Sequence, residues 1–571
     1  MTSTPFVLLD DARDGGAAWL YRDPVEIVET RDLADVSACL ERLRGRHAAG
    51  FLSYEAGCAF EDKLRPLAEA PAGEAPSLLW FGLFERAEPV NAAALLPDPA
   101  GAYAASARPL IAEADYRAAI ARVLEHIAAG DIYQANLTFQ AEVKVLGDPL
   151  ALYAAIRSRA RAGHGGIVFT GTHWLLSFSP ELFFTMTEGR VTTRPMKGTA
   201  PAGSNPDALR TDPKQRAENL MIVDLLRNDL SRLAKPGTVE VPELFAVEAY
   251  PTVLQMTSTI TAELEDGKDP IDLLHAIYPC GSITGAPKIR AMEIIHDVEA
   301  GPRGAYTGVI GRVAPDGEAA FNVAIRTLTL RAGGTVARLG LGSGIVADSR
   351  ADEEWRECLA KGVFVATTRR FDLIETMAFD PHVGIADLDR HLARMKRSAE
   401  AFGFPFDRHE ARNELQAATF RAGPSLVRLL ASSTGAMAIE LRPLPAAPAG
   451  AVAVAVVPRP VASEDFRLRH KTTDRAFYDE ARVRAGRFDV LFRDSGGFLT
   501  EGSFTSLFVE RAGRLLTPPL TRGLLPGILR ERLIAEGRAG EADLTEADLT
   551  GGFFIGNAVR GLIPAVLASA G

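Results

Sequence analysis

Cysteine is scarce in this sequence, and both a membrane-spanning run and a secretion signal are missing. Only four cysteines occur in 571 residues, and none belongs to a Cys-x-x-Cys pair. This excludes a disulfide framework and argues against a zinc site. No apolar run approaches the ~20 residues of a bilayer-spanning helix, and the N-terminus lacks the basic and apolar regions of a signal peptide. We therefore expect a cytoplasmic protein with no membrane partner.

An excess of positive charge is also missing. The 63 Lys and Arg residues are outnumbered by 73 Asp and Glu residues, giving a formal charge of −10 and a pI near 5.6. No Lys/Arg cluster alternates with aromatic residues, so we expect no nucleic-acid or anionic-membrane partner. A small anionic substrate stays open, because individual arginines and backbone N–H groups bind carboxylates whatever the net charge.

The chain is too long for one hydrophobic core, and about 150 residues per domain predicts three or four structural units. Helical and strand-like patterns are mixed throughout, which predicts an α+β fold class with antiparallel hairpins. The stretch "VNAAALLPDPAGAYAASARP" has the composition of an exposed connection. We place the main boundary at 368–372. The expected parts are 1–368, divided into 1–110 and 111–368, and 371–571, divided into 371–445 and 451–571.

Three glutamates of the first part have a spacing that fits a cation. Glu354 and Glu357 are three residues apart and share a helix face, and Glu218 lies near the start of another predicted helix. Carboxylates with room for water suit Mg²⁺. The same spacing also occurs on ordinary solvated helix faces, so spacing alone does not decide for a metal.

A single lysine stands in the turn "TRPMKGTAPAG", between a strand end and a Gly/Pro-rich bend. Most loop lysines are solvated surface charges, so Lys197 has no assigned role on this evidence alone. The later segments "CGSITGAPK" and "LGLGSGIVADS" are rich in glycine and contain hydroxyl side chains. In such segments backbone N–H groups can approach a bound anion closely. The second is not a dinucleotide-binding fingerprint, because its spacing does not give G-x-G-x-x-G before a helix.

Taken in order, the motifs of residues 5–368 resemble the chorismate-utilising enzymes, the family of anthranilate, isochorismate and aminodeoxychorismate synthases. The motifs are "SPELFF", "RPMKGT", "AENLMIVDLLRNDL", "CGSITGAPKIRAMEII", "AYTGVIG", "FNVAIRT", "GSGIVADS" and "EEWRECLAKG". The resemblance implies an anthranilate-synthase-like α/β sandwich with two facing β-sheets. It also implies chorismate as substrate, a Mg²⁺ ion on the ring carboxylate, and ammonia delivered by a separate glutamine amidotransferase.

The resemblance assigns expected roles residue by residue. It matches Glu218, Glu354 and Glu357 with the metal ligands, while Gln215 stands where relatives often have an acid. It matches Glu181 with the general acid/base and His275 with an active-site histidine. The expected substrate contacts are Gly198, Thr199, Thr284, Tyr306, Arg326, Gly342, Ser343, Gly344 and Lys361.

Lys197 occupies the position that separates activities in this family. An alanine there resembles anthranilate synthase, and a lysine resembles aminodeoxychorismate synthase. A desolvated amine beside the ring can stay neutral and act as a nucleophile. We therefore expect Lys197 to add to the ring before ammonia enters at C4.

The motifs of about 371–571 resemble the class IV fold of pyridoxal-phosphate enzymes, a two-subdomain α/β fold like that of D-amino-acid aminotransferase. They are "LIETM", "LDRHLARMKRSAEAFGF", "HKTTDRAFYDEA", "FLTEGSFTSLFV", "LTPPLTRGLLPGILRERL" and "GNAVRGLIPA". A Schiff-base lysine, an acid for the pyridine nitrogen and an arginine for the phosphate are the groups this cofactor needs.

The second resemblance also assigns residues. It matches Lys471 with the Schiff-base lysine and Glu501 with the partner of the pyridine nitrogen. It matches the phosphate site with Arg394, Thr505 and the backbone of Gly527 and Ile528. Ser506 stands where many relatives have Asn, and Arg560 is a candidate for the substrate. A homodimer through this part is compatible with the resemblance.

The fusion indicates two consecutive steps toward 4-aminobenzoate for folate: amination of chorismate, then pyridoxal-phosphate-dependent elimination of pyruvate. Three alternatives stay open. The second part could be a class IV aminotransferase, one part could be a non-catalytic module, or the first part could be of the anthranilate synthase type.

Overall fold

Helices and strands are mixed along the whole described chain, as the α+β expectation requires. The computed structural model describes residues 4–68, 70–249 and 253–568. The helices are α1 (Val36–Glu41), α2 (Ala92–Leu95), α3 (Glu113–Ala128), α4 (Pro149–Ala160), α5 (Pro206–Thr211), α6 (Pro213–Ser231), α7 (Pro270–Ile277), α8 (Lys288–Val298), α9 (Ala351–Gly362), α10 (Leu388–Phe402), α11 (Arg408–Thr419), α12 (Ala476–Ala485) and α13 (Ile528–Ala535). Within these ranges, no helix has the length and apolar character needed to cross a membrane.

Strands supply the frame on which the helices pack. In the first half they are β1 (Phe6–Asp10), β2 (Ala18–Arg22), β3 (Glu26–Thr30), β4 (His47–Leu52), β5 (Leu79–Phe84), β6 (Glu88–Val90), β7 (Tyr103–Ala104), β8 (Arg108–Pro109), β9 (Gln134–Leu146), β10 (Gly165–Phe169), β11 (His173–Ser177), β12 (Leu182–Thr187), β13 (Arg190–Arg194), β14 (Met196–Pro201), β15 (Glu240–Ala249), β16 (Val253–Glu263), β17 (Gly285–Ala286), β18 (Val309–Val313), β19 (Ala319–Val323), β20 (Thr327–Arg331) and β21 (Val336–Ile345). They continue with β22 (Leu373–Asp380), β23 (Gly384–Ile385), β24 (Ser425–Ala431), β25 (Met437–Pro443), β26 (Val452–Pro458), β27 (Asp489–Arg493), β28 (Leu499–Gly502), β29 (Ser506–Arg511), β30 (Arg514–Thr517), β31 (Ala539–Glu541), β32 (Phe553–Asn557) and β33 (Gly561–Leu567).

The chain forms two units that divide between Ala366 and Thr367. Two short segments from the first half of the sequence, 98–105 and 145–152, belong to the second unit. The stretch around 98–105 was expected to be an exposed connection, and for this segment the expectation is wrong. Tyr103 is only 7% exposed and is part of a hydrophobic core.

The first unit is built on two β-sheets. One has the strand order β17-β9-β21-β20-β11-β10-β1-β2-β6, and the other has the order β14-β16-β13-β12-β19-β18-β4-β5-β3. A shared core joins them, because Val7, Tyr21 and Leu175 of the first sheet pack with Phe51 and Trp80 of the second. Burying both inner faces in one core explains the alternation of apolar and polar residues along many of these strands.

Helices cover the outer faces of the two sheets and carry the residues expected in the site. On α6, Asp212 caps the first turn by accepting a hydrogen bond from Gln215 N, and Pro213 occupies a first-turn position that needs no donor. Ile222, Val223 and Leu226 of α6 enter the core behind the second sheet. On α9, Trp355 packs against Tyr116 and Phe139. The polar faces of α6 and α9 are thereby left for Glu218, Glu354 and Glu357.

The second unit contains two further sheets. One has the strand order β23-β22-β24-β25 and packs with α10 and α11, and the other has the order β28-β27-β26-β33-β32-β29-β30-β31. The α10 helix ends at Gly403, which adopts a left-handed φ of 75° and lets its N–H reach back to Ala399 O. The loops and strand ends between these sheets supply the residues of the second site.

Tyr103 ties the inserted segment into the second unit. Its ring packs edge-on against Phe402, with centroids 4.9 Å apart, and its hydroxyl donates to Phe402 O at 3.0 Å. Phe371 and Phe466 complete the aromatic cluster around it. The neighbouring Ala104 and Thr367 exchange hydrogen bonds of 2.8 and 2.9 Å. The core of the second unit is therefore incomplete without residues from the first half of the sequence.

We expect Tyr103→Ala to destabilise the second unit by about 3–5 kcal/mol, because it removes a buried aromatic ring and leaves a cavity. Hydrogen exchange read by mass spectrometry should show faster exchange in peptides containing Phe371, Phe402 and Phe466. Tyr133→Ala is the matched control, since Tyr133 is 72% exposed. Equal exchange in the two variants would show that the inserted segment does not support this core.

Candidate active sites

Lys197 lies on β14, and its main chain is fixed from α6. The side-chain amide of Asn219 donates to Lys197 O at 3.2 Å. Asn219 is held in turn by Ser258, whose hydroxyl donates to Asn219 Oδ1 at 2.6 Å. Both Asn219 and Ser258 are buried. These hydrogen bonds define the direction in which the lysine side chain leaves the strand.

The Lys197 amine reaches the glycine-rich strand β21. A Cβ atom added to Gly344 would lie 3.3 Å from Lys197 Nζ and 2.7 Å from Gln134 Nε2. A side chain at this position would therefore press on both groups. Glycine is required here because the backbone of β21 and the lysine amine approach each other closely.

The electrostatic surroundings favour the neutral form of Lys197. Burial lowers the pKa of its amine below the usual value, and the neighbouring Lys361 lowers it further. The carboxylates of Glu181, Glu218 and Glu357 act in the opposite direction without reversing the shift. A larger share of the amine is thus unprotonated near neutral pH, which is the form that acts as a nucleophile.

Glu181 is a buried acid next to this amine. It precedes β12, and burial raises the pKa of its carboxyl group. The hydroxyl of Ser282 donates to Glu181 Oε1 at 2.6 Å, which favours the charged form and limits the shift. Lys197 and Lys361 act in the same direction as Ser282. A carboxyl group with a raised pKa can hold a proton near neutral pH and donate it.

The three predicted metal ligands lie on α6 and α9, but they do not form a preassembled metal cluster. Over residues 4–68, 70–249 and 253–568, no group of three His, Cys, Asp or Glu residues is placed to hold an ion. Glu357 instead pairs with Lys361 at 2.7 Å, and Glu354 accepts from Ser349 Oγ at 2.7 Å. The triad of metal ligands therefore stays a prediction, and Glu354 and Glu357 already have other partners.

The charge on Glu218 and Glu357 still suits a cation. Burial raises the pKa of Glu218, with Lys197 and Lys214 opposing the shift. For Glu357 burial acts in the same sense, but the ammonium groups of Lys361, Lys197 and Lys214 prevail and its pKa is lowered. Each of these carboxylates interacts with Lys197, so their oxygens border the same region as the amine. Hard oxygen donors of this kind fit Mg²⁺.

The predicted substrate contacts on β21 lie on both faces of the strand. Gly342 and Gly344 share one face of β21, and Lys361 Nζ donates to Gly342 O at 2.9 Å. The Tyr306 ring lies against the same strand, where a Cβ on Gly340 would be 2.0 Å from it. Ser343 points to the other face, with its hydroxyl 3.2 Å from Tyr116 OH. Only its backbone is available for the predicted contact.

Three other predicted substrate residues have structural hydrogen bonds of their own. The Thr284 hydroxyl donates to Cys280 O and Gly281 O, both at 3.2 Å, and is fully buried. Thr199 Oγ1 donates to Gln255 Oε1 at 3.0 Å. Gly198 has a left-handed φ of 97° beside Gln215. Gly198 and Thr199 belong to β14 together with Lys197. The Thr284 hydroxyl uses its single proton within the protein, and its oxygen can still accept a hydrogen bond.

Arg326 has a non-glycine backbone conformation of high energy. Its φ is 50°, and its guanidinium lies over the ring of Phe364 at 6.0 Å. Such strained residues occur mainly at functional sites, where the surrounding structure holds them in place. The conformation is compatible with the predicted role of Arg326 in substrate binding.

His275 contacts residues other than those around Lys197, and its role as the active-site histidine stays a prediction. It lies in the last turn of α7, where its Nε2 is 3.7 Å from Glu41 Oε1 and its ring packs on Phe60 at 4.7 Å. Burial lowers the pKa of its imidazole. The apolar positions of α7 fix this orientation, because Leu273, Leu274 and Ile277 enter the core on other faces of the helix.

Ser282 and Asn219 are the residues that sequence reasoning missed in these roles. Ser282 belongs to the motif "CGSITGAPK" and Asn219 to "AENLMIVDLL", so both were within recognised motifs. Their roles depend on contacts with residues 101 and 22 positions away, respectively. No local spacing in the sequence identifies such partners.

The second unit contains a cavity of about 520 Å³ around Lys471. Lys471 precedes α12, and its carbonyl accepts a hydrogen bond from Ile374 N at 3.0 Å. Burial lowers the pKa of the Lys471 amine to about 7, with Arg394 and Arg475 acting in the same direction against Glu375. The volume lies in the range of small-molecule and cofactor sites.

Glu501 lies on β28 in the wall of the same cavity. Its carboxylate accepts from Tyr478 OH at 2.5 Å and from Leu525 N at 3.2 Å. Burial raises the pKa of Glu501 to about 7, although both hydrogen bonds favour the charged form. A cationic ring nitrogen placed against this carboxylate would restore the charged form. The raised pKa of Glu501 thus agrees with its predicted role as the partner of the pyridine nitrogen.

The predicted phosphate residues also line this cavity. Arg394 is buried and donates to Glu375 at 2.7 and 2.8 Å and to Pro526 O at 2.9 Å. Gly527 and Ile528 open α13, and a Cβ on Gly527 would lie 2.5 Å from Ser506 Oγ. The N–H groups of a helix start bind anions well. The Thr505 hydroxyl donates to Asp489 at 2.6 Å, so it has a protein partner of its own.

Arg560 lies at another wall of this cavity. Its guanidinium donates to Ala446 O at 3.1 Å and stacks over Phe488 at 5.7 Å. A single carbonyl partner leaves most of its donors available for a ligand. Its position is compatible with the predicted role in substrate binding.

The model of the chorismate binding enzyme family matches residues 18–367. The chain belongs to this family. The model of the class IV amino-transferase family matches residues 372–567. The expected resemblance to both families is thereby confirmed, and so is a chorismate-binding part followed by a class IV part.

Curated relatives match part of this chain. A 2-amino-4-deoxychorismate synthase from Streptomyces globisporus is 41% identical over 42% of this chain and 50% of its own length. Aminodeoxychorismate synthase component 1 from Salmonella typhimurium is 41% identical over 43% of this chain and 56% of its own length. The chain thus spans about half the length of these relatives.

A solved structure confirms the fold of this part. Anthranilate synthase component I from Streptococcus pneumoniae matches with a TM-score of 0.54 and 24% identity, covering 61% of this chain and 92% of its own. The expected α+β fold, with an anthranilate-synthase-like sandwich in the chorismate-binding part, is therefore correct.

We expect Ser282→Ala to raise the pKa of Glu181 by about one unit, because a hydrogen bond to the charged form is lost. Difference infrared spectroscopy of the protonated carboxyl, with Glu181→Gln to identify the band, measures this titration. Ser349→Ala is the matched control, since that hydroxyl donates to Glu354 instead. An unchanged Glu181 titration in Ser282→Ala would contradict the assigned hydrogen bond.

Proposed function

We propose that this chain makes 4-aminobenzoate in two steps: residues 1–368 aminate chorismate to 4-amino-4-deoxychorismate, and residues 371–571 eliminate pyruvate from it. The observation that carries the proposal is the Lys197 amine, whose pKa is lowered by burial among Glu181, Glu218 and Glu357. A surface lysine would not show this shift. The class IV match in the same chain supports the second step.

In the first step Lys197 acts as a nucleophile toward the substrate ring. Its neutral amine adds at ring C2, the ring double bond shifts, and the C4 hydroxyl leaves as water with a proton from Glu181. Ammonia then adds at C4, the double bond shifts back, and the C2–N bond to Lys197 breaks. Glu181 takes up a proton from the incoming ammonia, which returns it to its starting state. The enolpyruvyl group stays on the ring.

The relatives differ in the ring carbon that receives the amino group, and Lys197 indicates which carbon is used by this chain. The 2-amino-4-deoxychorismate synthase and the aminodeoxychorismate synthase component are both 41% identical to this chain, so overall identity does not distinguish C2 from C4. A lysine that occupies C2 during the reaction excludes ammonia from that carbon and directs it to C4. This argument favours the 4-amino product over a product of the anthranilate type.

Mg²⁺ is part of the proposal for the first step. Glu218, Glu354 and Glu357 would hold it, and it would neutralise the ring carboxylate of the substrate. Because Glu357 is paired with Lys361 and is 55% exposed, binding of the ion would require this pair to open. Lys361 would then keep its hydrogen bond to Gly342 O and be available to the bound anion.

The second step uses the cavity of the class IV part. Pyridoxal phosphate fits this cavity through Lys471, Glu501, Arg394 and the start of α13, and it supplies a sink for the electrons released at C4. Lys471, with its pKa lowered to about 7, takes the proton from C4. Glu501 holds the proton of the pyridine nitrogen, and Tyr478 keeps Glu501 in position. Pyruvate leaves from C3 and the ring becomes aromatic.

Ammonia is the remaining reactant of the first step. The aminodeoxychorismate synthase relative is named as component 1. We propose that a separate glutamine amidotransferase supplies ammonia to this chain as well. Free ammonium at high concentration should replace it in an assay of the isolated chain.

We expect Lys197→Ala and Lys471→Ala to separate the two steps. Lys197→Ala should lower amination by about a thousandfold or more, because it removes the ring nucleophile. It should still convert supplied aminodeoxychorismate to 4-aminobenzoate. Lys471→Ala should consume chorismate and accumulate aminodeoxychorismate. Chromatography of the products with chorismate, ammonium and Mg²⁺ measures both outcomes.

The alternatives give different products in the same assay. A class IV aminotransferase in the second part would exchange amino groups with a 2-oxo acid and release no pyruvate. A non-catalytic second part would leave aminodeoxychorismate as the end product in the wild type. Anthranilate from the wild type would show that the first part aminates at C2.

We expect Glu357→Gln to lower amination by more than the roughly 10- to 100-fold typical of losing an outer-shell partner of a metal. The loss should be largest at limiting Mg²⁺, and the pyruvate-releasing step should be unchanged. Glu353→Gln is the matched control, because Glu353 is on the same helix, is 57% exposed and pairs with Arg350. Normal amination by Glu357→Gln at limiting Mg²⁺ would remove Glu357 from the proposed metal ligands.

A further inference from the structure

We propose that Arg482 binds a carboxylate of the substrate in the cavity of the class IV part and thereby selects a dianionic substrate. The inference rests on the proposed second step and adds a specificity-determining residue to it. Aminodeoxychorismate carries two carboxylates in addition to the amine that reacts. A site for it needs cationic donors at a distance from Lys471, in a place where they are not already neutralised.

Arg482 is brought to the cavity by the helix that also supports Glu501. It follows Tyr478 by four residues on α12, so the two side chains lie on one face of the helix. Arg475 precedes them by one turn on the same side and donates to Ser503 O. All three residues line the cavity. The contact between Tyr478 and Glu501 therefore fixes the side of the helix from which Arg482 extends.

The contacts of Arg482 leave one buried donor unused. Its guanidinium lies over the ring of Phe504, 5.6 Å from the centroid, and Phe504 lines the cavity. Nη2 donates to Asp479 at 3.4 Å, a long contact with a side chain that is 59% exposed. Nε is buried and has no acceptor among the residues that the structure describes. A buried donor without an acceptor destabilises the protein, and an anionic ligand that accepts from it would remove this penalty.

Four other arginines of this cavity are already paired with carboxylates. Arg394 is paired with Glu375, and Arg467 is paired with Asp465 at 2.6 Å. Arg428 and Arg442 share Glu440 at 3.4 and 2.6 Å. Recruiting one of these groups for the substrate would weaken an existing ion pair. Compared with these four, Arg482 can bind a carboxylate with a smaller loss, because its present partner is exposed and distant.

A second cation lies next to Arg482 and gives the site a pair of charges. Arg560 stacks over Phe488, and the rings of Phe488 and Phe504 have centroids 5.8 Å apart. Two guanidinium groups that line the cavity are thus held over two adjacent rings. Stacking fixes the planes of the guanidinium groups without consuming their outward N–H donors. A monoanionic amino compound would use only one of the two groups, and a dianion would use both.

The test uses the full-length protein loaded with pyridoxal phosphate and supplied with aminodeoxychorismate, with pyruvate release as the readout. We expect Arg482→Gln to raise KM by about 10- to 100-fold, the effect of losing one charge-assisted hydrogen bond, with kcat changed by less than about twofold. Arg482→Lys should recover part of the loss, because it keeps the charge but not the planar donor set. Arg484→Gln is the matched control: it removes the same charge from an exposed position on the same helix.

The outcomes separate this inference from the proposed function. If the wild type releases no pyruvate from aminodeoxychorismate, the proposed second step is wrong. If the wild type does so and Arg482→Gln keeps the KM of Arg484→Gln, the second step stands and the role of Arg482 is wrong. A fall in kcat with unchanged KM, or loss of the cofactor absorbance in Arg482→Gln, would also contradict a role in substrate recognition.

Discussion

The exclusion of water from two lysine amines is the constraint on which both sites depend. Burial is the largest influence on Lys197 and on Lys471, and in each case it lowers the pKa of the amine. A protonated amine has no lone pair, so burial increases the share of each amine that can act as a nucleophile or a base. The surrounding fold keeps each amine in a place where the charged form is costly.

The two sites treat the charge around the buried amine differently. Lys197 interacts with three carboxylates, which hold back its pKa shift and also provide oxygens for a cation. Lys471 has Glu375 near it, but that carboxylate is already bound by Arg394 and His391. Three arginines, Arg394, Arg475 and Arg428, lower the pKa of Lys471 further. Acidic neighbours thus surround one amine, and basic neighbours outnumber the acidic one at the other.

Much of this arrangement is predictable from the sequence, because the motifs carry short-range information. The helix faces of Glu218 and Glu357 and the segment before α12 lie where their patterns indicate. The turn predicted at Lys197 is wrong, because Met196–Pro201 forms β14 and pairs with β16. The neighbours of His275 could not be predicted, since its direction depends on how Leu273 and Leu274 enter the core. The partners of Glu357 and Glu354 could not be predicted either, because the ion pairs and hydrogen bonds within a site depend on the folded positions of the side chains. The Ala/Pro/Gly-rich composition of 98–105 predicted an exposed segment. It gave no sign that Tyr103, the single aromatic residue there, completes an aromatic core.

The inserted segment around Tyr103 also orders events during synthesis. Tyr103 leaves the ribosome roughly 360 residues before Phe466, one of the rings it packs against. At about 5–20 residues per second, the segment waits for on the order of 20–70 seconds before that partner exists. During this interval Tyr103 and Leu146, which are cross-strand partners, lack the core residues that come from the second half of the sequence. The core of the second unit therefore closes only after most of the chain has been made.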